Sequence, residues 1–165
     1  DVGRAQVIDE LTGEAQFAFS IPSAAGHWSG GTMFLLFDHT GAGATTDQAV
    51  IKFFVLDATG ENWFELVGTD RMPNIYDNEW HHLAFVYDEA SSSMKFYRDG
   101  VLHATKTWGS HGAVRMDDTK VTSFLLGGKC VSGWGAEWGG SLDQFRMYNK
   151  SLSAGEVQDL FSNRL

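Results

Sequence analysis

Two tryptophans share the glycine-rich run Gly133-Trp134-Gly135-Ala136-Glu137-Trp138-Gly139-Gly140, with a carboxylate between them. A third stands in Trp108-Gly109-Ser110-His111-Gly112, beside an imidazole and close in sequence to Arg115. An indole plate rimmed by a few polar groups suits a sugar ring, whose C–H face is apolar and whose edge is a ring of hydroxyls. Flanking glycines let the backbone turn so that such plates stand clear of a sheet. In that arrangement Glu137 accepts hydrogen bonds from hydroxyls, and Arg115 donates to a carboxylate if the glycan is acidic. The competing reading is that each tryptophan closes an end of the fold under a loop, which also applies to Trp28. Trp63 lies in a strand pattern whose two faces the sequence does not distinguish.

Catalytic arrangements are weaker. A retaining glycosidase needs two carboxyl groups about 5–5.5 Å apart. The best candidate, Glu61-Asn62-Trp63-Phe64-Glu65, separates its acids by about 13 Å if extended. Asp117 and Asp118 are adjacent and point to opposite faces of a strand, and the same divergence stops His81 and His82 from chelating one metal. The remaining histidines show no zinc spacing. Cys130 has no nucleophile motif around it and reads as a packed or partly exposed thiol. The chain is therefore expected not to be an enzyme.

What must hold the tryptophans in place is a single domain. The chain has 165 residues, enough to bury a core without disulfides, and one cysteine excludes an internal disulfide. A hydrophobic share of 43% against 20% charged residues excludes a disordered tail. With 12 Lys plus Arg and 21 Asp plus Glu, the formal charge of −9 argues against nucleic acid as a partner and against an anionic membrane. No apolar run reaches the roughly 18 residues of a membrane span. The sequence opens Asp1-Val2-Gly3, which suggests a mature or excised piece attached to further domains.

The dominant period is two. Leu83, Phe85 and Tyr87 fall on one face with Ala84 and Val86 opposite, and Met94 and Phe96 oppose Lys95 and Tyr97. Asp99-Gly100 between these runs is a tight hairpin signal. Further strands are expected at 15–21, 32–38, 49–56, 62–67, 122–127 and 141–148, separated by Gly, Ser, Asn and Asp. Runs that are apolar on both faces favour two stacked sheets over one exposed sheet. One helix is expected, over 154–161: Ser153 and Glu156 form a capping-box pattern, and Leu152 and Val157 a hydrophobic staple.

Four stretches in order carry a resemblance. Trp80-His81-His82-Leu83-Ala84-Phe85-Val86-Tyr87-Asp88, Phe96-Tyr97-Arg98-Asp99-Gly100 and Leu125-Leu126-Gly127-Gly128 resemble successive strands of laminin-G-like domains. These domains form part of the concanavalin A-like superfamily. The tail from Gly140-Ser141-Leu142-Asp143 through Arg146-Met147-Tyr148 to Leu152-Ser153-Ala154-Gly155-Glu156-Val157 is similar to that family's ending almost position by position. The resemblance covers about half the chain, roughly 79–161. It implies an all-β, antiparallel two-sheet jelly-roll sandwich with one short C-terminal helix, in which Trp80 and Phe85 anchor the core. It also implies a non-catalytic carbohydrate-binding module, with a glycan as partner, in a secreted or cell-surface protein. A protein-interaction or structural adhesion domain of the same fold is the alternative. Domains of this kind sometimes bind calcium, so Asp143 has two readings, as a cap on loop amides or as one of the six to eight oxygens that Ca2+ requires. The expected contact residues are Trp134, Glu137, Trp138, Trp108, His111 and Arg115, with Asp143 as the metal candidate.

Overall fold

In the computed structural model the described residues are 2–7, 16–21, 33–38, 48–55, 72–73, 79–107, 123–128 and 136–163. They form eleven strands and one helix. The strands are β1 (Val2–Val7), β2 (Gln16–Ile21), β3 (Met33–Asp38), β4 (Gln48–Val55), β5 (Met72–Pro73), β6 (His81–Asp88), β7 (Ser93–Arg98), β8 (Val101–Thr107), β9 (Leu125–Leu126), β10 (Ala136–Glu137) and β11 (Gly140–Asp143). The helix, α1, spans Ala154–Ser162. A five-stranded sheet runs β11-β1-β6-β7-β8, and a six-stranded sheet runs β10-β2-β3-β4-β5 with β9 also on β2. All pairings are antiparallel except β10 with β2. This is the expected all-β sandwich with one C-terminal helix.

The β6–β7 ladder puts Phe85 opposite Phe96 and Ala84 opposite Tyr97, so the two faces separate as the alternation predicts. On one face the Phe85 and Phe96 rings stack with centroids 4.6 Å apart. On the other, Ala84, Val86 and Tyr97 pack with Leu152 and Val157, and Leu160 closes the group. The helix therefore covers the outer face of the first sheet, which explains why β6 is buried on both sides through its first six residues. The second sheet contributes its own buried positions, Ala18, Phe19, Ser20, Ile21 and Leu35.

Helix α1 starts where the capping pattern places it. The Glu156 backbone N–H donates to Ser153 Oγ, and the Ser153 backbone N–H donates to Glu156 Oε2 at 2.8 Å. Lys150 pairs with the other oxygen of Glu156. The Lys150 bond, followed by those from Ser153, pulls the Glu156 carboxyl down from 4.5 to about 2. Leu152 and Val157, the staple pair, are both buried in the same cluster. Ser153→Ala removes one side of the box and is expected to cost about 1 kcal/mol, read as a lower Tm in a thermal melt. An unchanged Tm would mean that the cap adds nothing to packing.

The hairpin turn is as the sequence indicates: Asp99 has φ 52° and Gly100 φ 78°, both left-handed, as a type I′ turn requires. Gly100 also lies against the helix, where a Cβ would collide with the Gln158 side chain and stand 3.1 Å from the Phe161 ring.

Four expectations need correction. Trp80 is 37% exposed and does not anchor the core, whereas Phe85 does. The Phe161 ring lies over His82 instead, with centroids 6.2 Å apart. The strand expected at 141–148 stops at Asp143, because Gln144 takes φ 53° and leaves the ladder. Met147, which that strand would place on one face with Phe145, is consequently 50% exposed. Of the expected strand at 122–127, the described residues are strand only at Leu125–Leu126. The strand expected at 62–67 lies outside the described residues.

Candidate glycan-binding site

Two of the expected contact residues, Glu137 and Trp138, lie beside β2, on the side away from β3. Two short strands share that side, β10 parallel to Gln16 and Phe17 and β9 antiparallel to Phe19 and Ser20. Between them the backbone bonds continue, with Gly127 N–H donating to the Ala18 carbonyl at 2.8 Å and Trp138 N–H to the Gly127 carbonyl at 2.9 Å. Gly127 has φ 69°, which favours glycine, and the Trp138 Cβ lies 3.6 Å from where a Cβ on Gly127 would stand. Ser20 Oγ donates to the Gly128 carbonyl at 2.9 Å and fastens the same corner. The glycine-rich segment is thus partly ladder rather than loop alone.

Trp138 is half-buried, and its indole Nε1–H points at the Ser141 carbonyl, 3.4 Å away. Its backbone and its ring are therefore both tied to the sheet edge, which fixes the plate at the small entropic cost of a side chain with two rotatable bonds. Glu137, its neighbour in β10, is placed by backbone register opposite Phe17. Trp134, Trp108, His111 and Arg115 lie outside the described residues, as do Trp28, Trp63, Cys130, Asp117 and Asp118. Of the expected contact residues, then, the structure brings Glu137 and Trp138 together at one edge.

Asp143 ends β11. It is exposed, and its Oδ1 accepts the Gln144 N–H at 2.8 Å, supporting the left-handed backbone there. Among the described residues no three His, Cys, Asp or Glu side chains converge as a metal site.

One cluster is absent from the sequence reading. His81, at the start of β6, lies beside the β7–β8 turn, where its Nδ1 is 2.8 Å from Asp99 Oδ2 and its Nε2 is 3.0 Å from Arg98 Nη2. An ionised carboxylate only accepts and a guanidinium only donates, so the Nδ1–H tautomer satisfies both contacts. Arg98 Nε then has Asp99 Oδ2, at 3.6 Å, as its ionic partner. Asp99 Oδ1 also accepts the His82 N–H at 3.0 Å, and the Asp99 N–H donates to the His82 carbonyl at 2.8 Å. Partial burial raises the Asp99 pKa, but the His81 and His82 bonds with the nearby positive charge outweigh it, so the net shift is downward. The arrangement resembles a base dyad, yet the lone pair a base would use is already taken by Arg98. Its action is to lock the turn. His82 diverges toward Phe161, as consecutive strand residues must.

Comparisons with known proteins agree with this architecture. No curated protein sequence matches the chain. Among solved structures, the CBM40 module of the Ruminococcus gnavus IT-sialidase superposes with TM-score 0.69 at 21% identity, covering 97% of this chain and 80% of that one. It has also been solved bound to α2,3 and α2,6 sialyllactose. The leech intramolecular trans-sialidase complexed with 2,7-anhydro-Neu5Ac gives TM-score 0.68 at 20% identity, over 99% of this chain and 23% of that one. A heptameric SAP-like pentraxin from Limulus polyphemus gives 0.61 at 13%, over 96% and 67%. At these identities the likeness is one of fold. A laminin G family model, described as the concanavalin A-like lectin/glucanases superfamily, matches residues 7–158, and the chain belongs to that family.

Proposed function

We infer that this chain is a non-catalytic glycan-binding module of a secreted or cell-surface protein. The observation that carries the reading is whole-domain likeness: the chain spans 97% of its own length and 80% of a carbohydrate-binding module that takes sialyllactose. The leech neighbour is an enzyme, but this chain corresponds to 23% of it, so its chemistry does not transfer with the fold. Within the described residues, the one dyad that looks catalytic has its imidazole nitrogens committed to Asp99 and Arg98. No helix among the described residues is long and apolar enough to cross a membrane.

The sheet edge at Trp138 and Glu137 is the contact surface in this reading. A half-buried indole held by the backbone of Gly127 and Ser141 presents a fixed plate for a sugar face, and Glu137 supplies an acceptor for its hydroxyls. Stacking of this kind contributes about 1 kcal/mol, so affinities in the tens of micromolar or weaker are expected. A glycan array, with 3′- and 6′-sialyllactose and neutral lactose included and run with and without calcium, identifies the ligand. Trp138→Ala is then expected to weaken binding about fivefold to tenfold in a variant that melts like the parent. An array with no bound glycan would overturn the function, and unchanged affinity in the folded variant would move the site.

A further inference from the structure

Beyond β11 the chain leaves the ladder and runs toward α1 without strand pairing. Arg146, Tyr148 and Lys150 all line one side of a cleft whose other side is the helical stripe Glu156, Asp159 and Leu160. The two sides meet across Leu152, and the space between them is about 330 Å³. That lies at the small end of ligand sites and suits a single ring with its substituents.

The charges in the cleft are not equivalent. Lys150 is bound to Glu156, whose remaining bonds go to Ser153, so this pair is consumed by the helix cap. Arg146 is different: its guanidinium has no ion-pair or hydrogen-bond partner among the described residues. Tyr148 is 40% exposed, so its ring has a face available, and the Asp159 side chain stands across the cleft on α1. A guanidinium fork recognises a carboxylate in two parallel bonds. An aromatic face recognises the C–H side of a sugar. A lone carboxylate such as Asp159 accepts from hydroxyls but repels a doubly charged group. It therefore disfavours phosphate, as does the formal charge of −9.

We propose that the cleft between the Arg146–Lys150 segment and α1 is a second ligand site, separate from the Trp138 edge, that takes one carboxylate-bearing sugar unit. Arg146 holds the carboxylate, Tyr148 stacks on the ring and Asp159 accepts from a hydroxyl. A uronic acid and a sialic acid share this chemistry.

The test is a heteronuclear NMR titration of the full chain with methyl glucuronide, the methyl glycoside of N-acetylneuraminic acid, and neutral methyl glucoside, each to tens of millimolar. One or both acidic sugars are expected to shift the amides of Arg146, Tyr148 and α1, and the one that does so names the source of the carboxylate. The neutral sugar is expected to leave these amides in place. Arg146→Gln should weaken the response at least tenfold and Tyr148→Ala several-fold, whereas Met147→Ala, whose side chain is outside the cleft, should not change it. Equal response to acidic and neutral sugars would overturn the proposal, as would no response at these amides or an unaffected Arg146→Gln. Loss of acidic-sugar binding in Trp138→Ala but not in Arg146→Gln would overturn the cleft while leaving the glycan-binding reading intact.

Discussion

Truncation before Gly140 is expected to leave a chain with no cooperative thermal transition. The deletion takes β11 from β1, ending the register from Arg4↔Asp143 to Val7↔Gly140. It removes Phe145 from its edge contact with Phe19, 5.6 Å between centroids, and from Phe124. It also strips Leu152, Val157 and Leu160 from Ala84, Val86 and Tyr97, leaving the outer face of the first sheet bare. Four apolar side chains at about 1.5–3 kcal/mol each amount to about 6–12 kcal/mol. Typical domain stability is about 5–15 kcal/mol, so the loss exhausts most or all of it. Met147 adds little to this sum because it is half exposed. Differential scanning calorimetry of the truncated chain decides the matter: a sharp transition near the parent Tm would show that the sandwich holds without its tail.

Asp99→Ala should destabilise the fold at the β7–β8 turn by about 2.5–5 kcal/mol. The carboxylate accepts from His81 Nδ1–H and from the His82 N–H, and because a third of the side chain is exposed the two bonds together contribute about 1.5–3 kcal/mol. Alanine also bears a strain of about 1–2 kcal/mol at a left-handed position that Asp tolerates better, here φ 52°. The pH dependence has a definite sign. The folded pKa of Asp99 is lowered by its hydrogen bonds and by positive charge, against burial. Its contribution is therefore complete above the ordinary value of 3.8 and fades as pH falls through the lower folded value. Glu156 acts in the same direction between 4.5 and about 2. Thermal melts from pH 7 to pH 2 should show the parent losing stability on the acid side, with a smaller loss in Asp99→Ala. Parallel curves for the two proteins would show that Asp99 is not linked to folding.

The elements that could be read from the sequence were those whose signals are local. β6 and β7 alternate cleanly, Asp99-Gly100 supplies both left-handed residues of the turn, and Ser153 with Glu156 announces the helix. The missed elements depend on distant partners. β1, Val-Gly-Arg-Ala-Gln-Val, has no apolar run and is a strand because β6 and β11 flank it. β10 has two residues and exists only as an addition to β2, and β9, expected over 122–127, keeps as strand only the two residues that pair with β2. The same distinction applies to the sites. A tryptophan among glycines is visible by composition, but the second role of Asp99 appears only once the hairpin register brings Leu83 opposite Arg98 and sets His81 just beyond it. The cleft lined by Arg146, Tyr148 and Lys150 has no local signal either, because its other wall is α1 and it forms only after the chain leaves the ladder at Gln144.

The position of the helix has a consequence for biosynthesis. Ala84, Val86 and Tyr97 emerge from a ribosome well before Leu152, Val157 and Leu160, which cover them. At about 5–20 residues per second, several seconds separate the sticky outer face of the β6–β7 hairpin from its lid. During that interval the nascent sheet presents an apolar surface with no intramolecular cover from α1, the state in which sheets associate with other chains. The capped helix, which starts from its own local signals, shortens the last step, because it can close the surface as soon as it clears the exit tunnel.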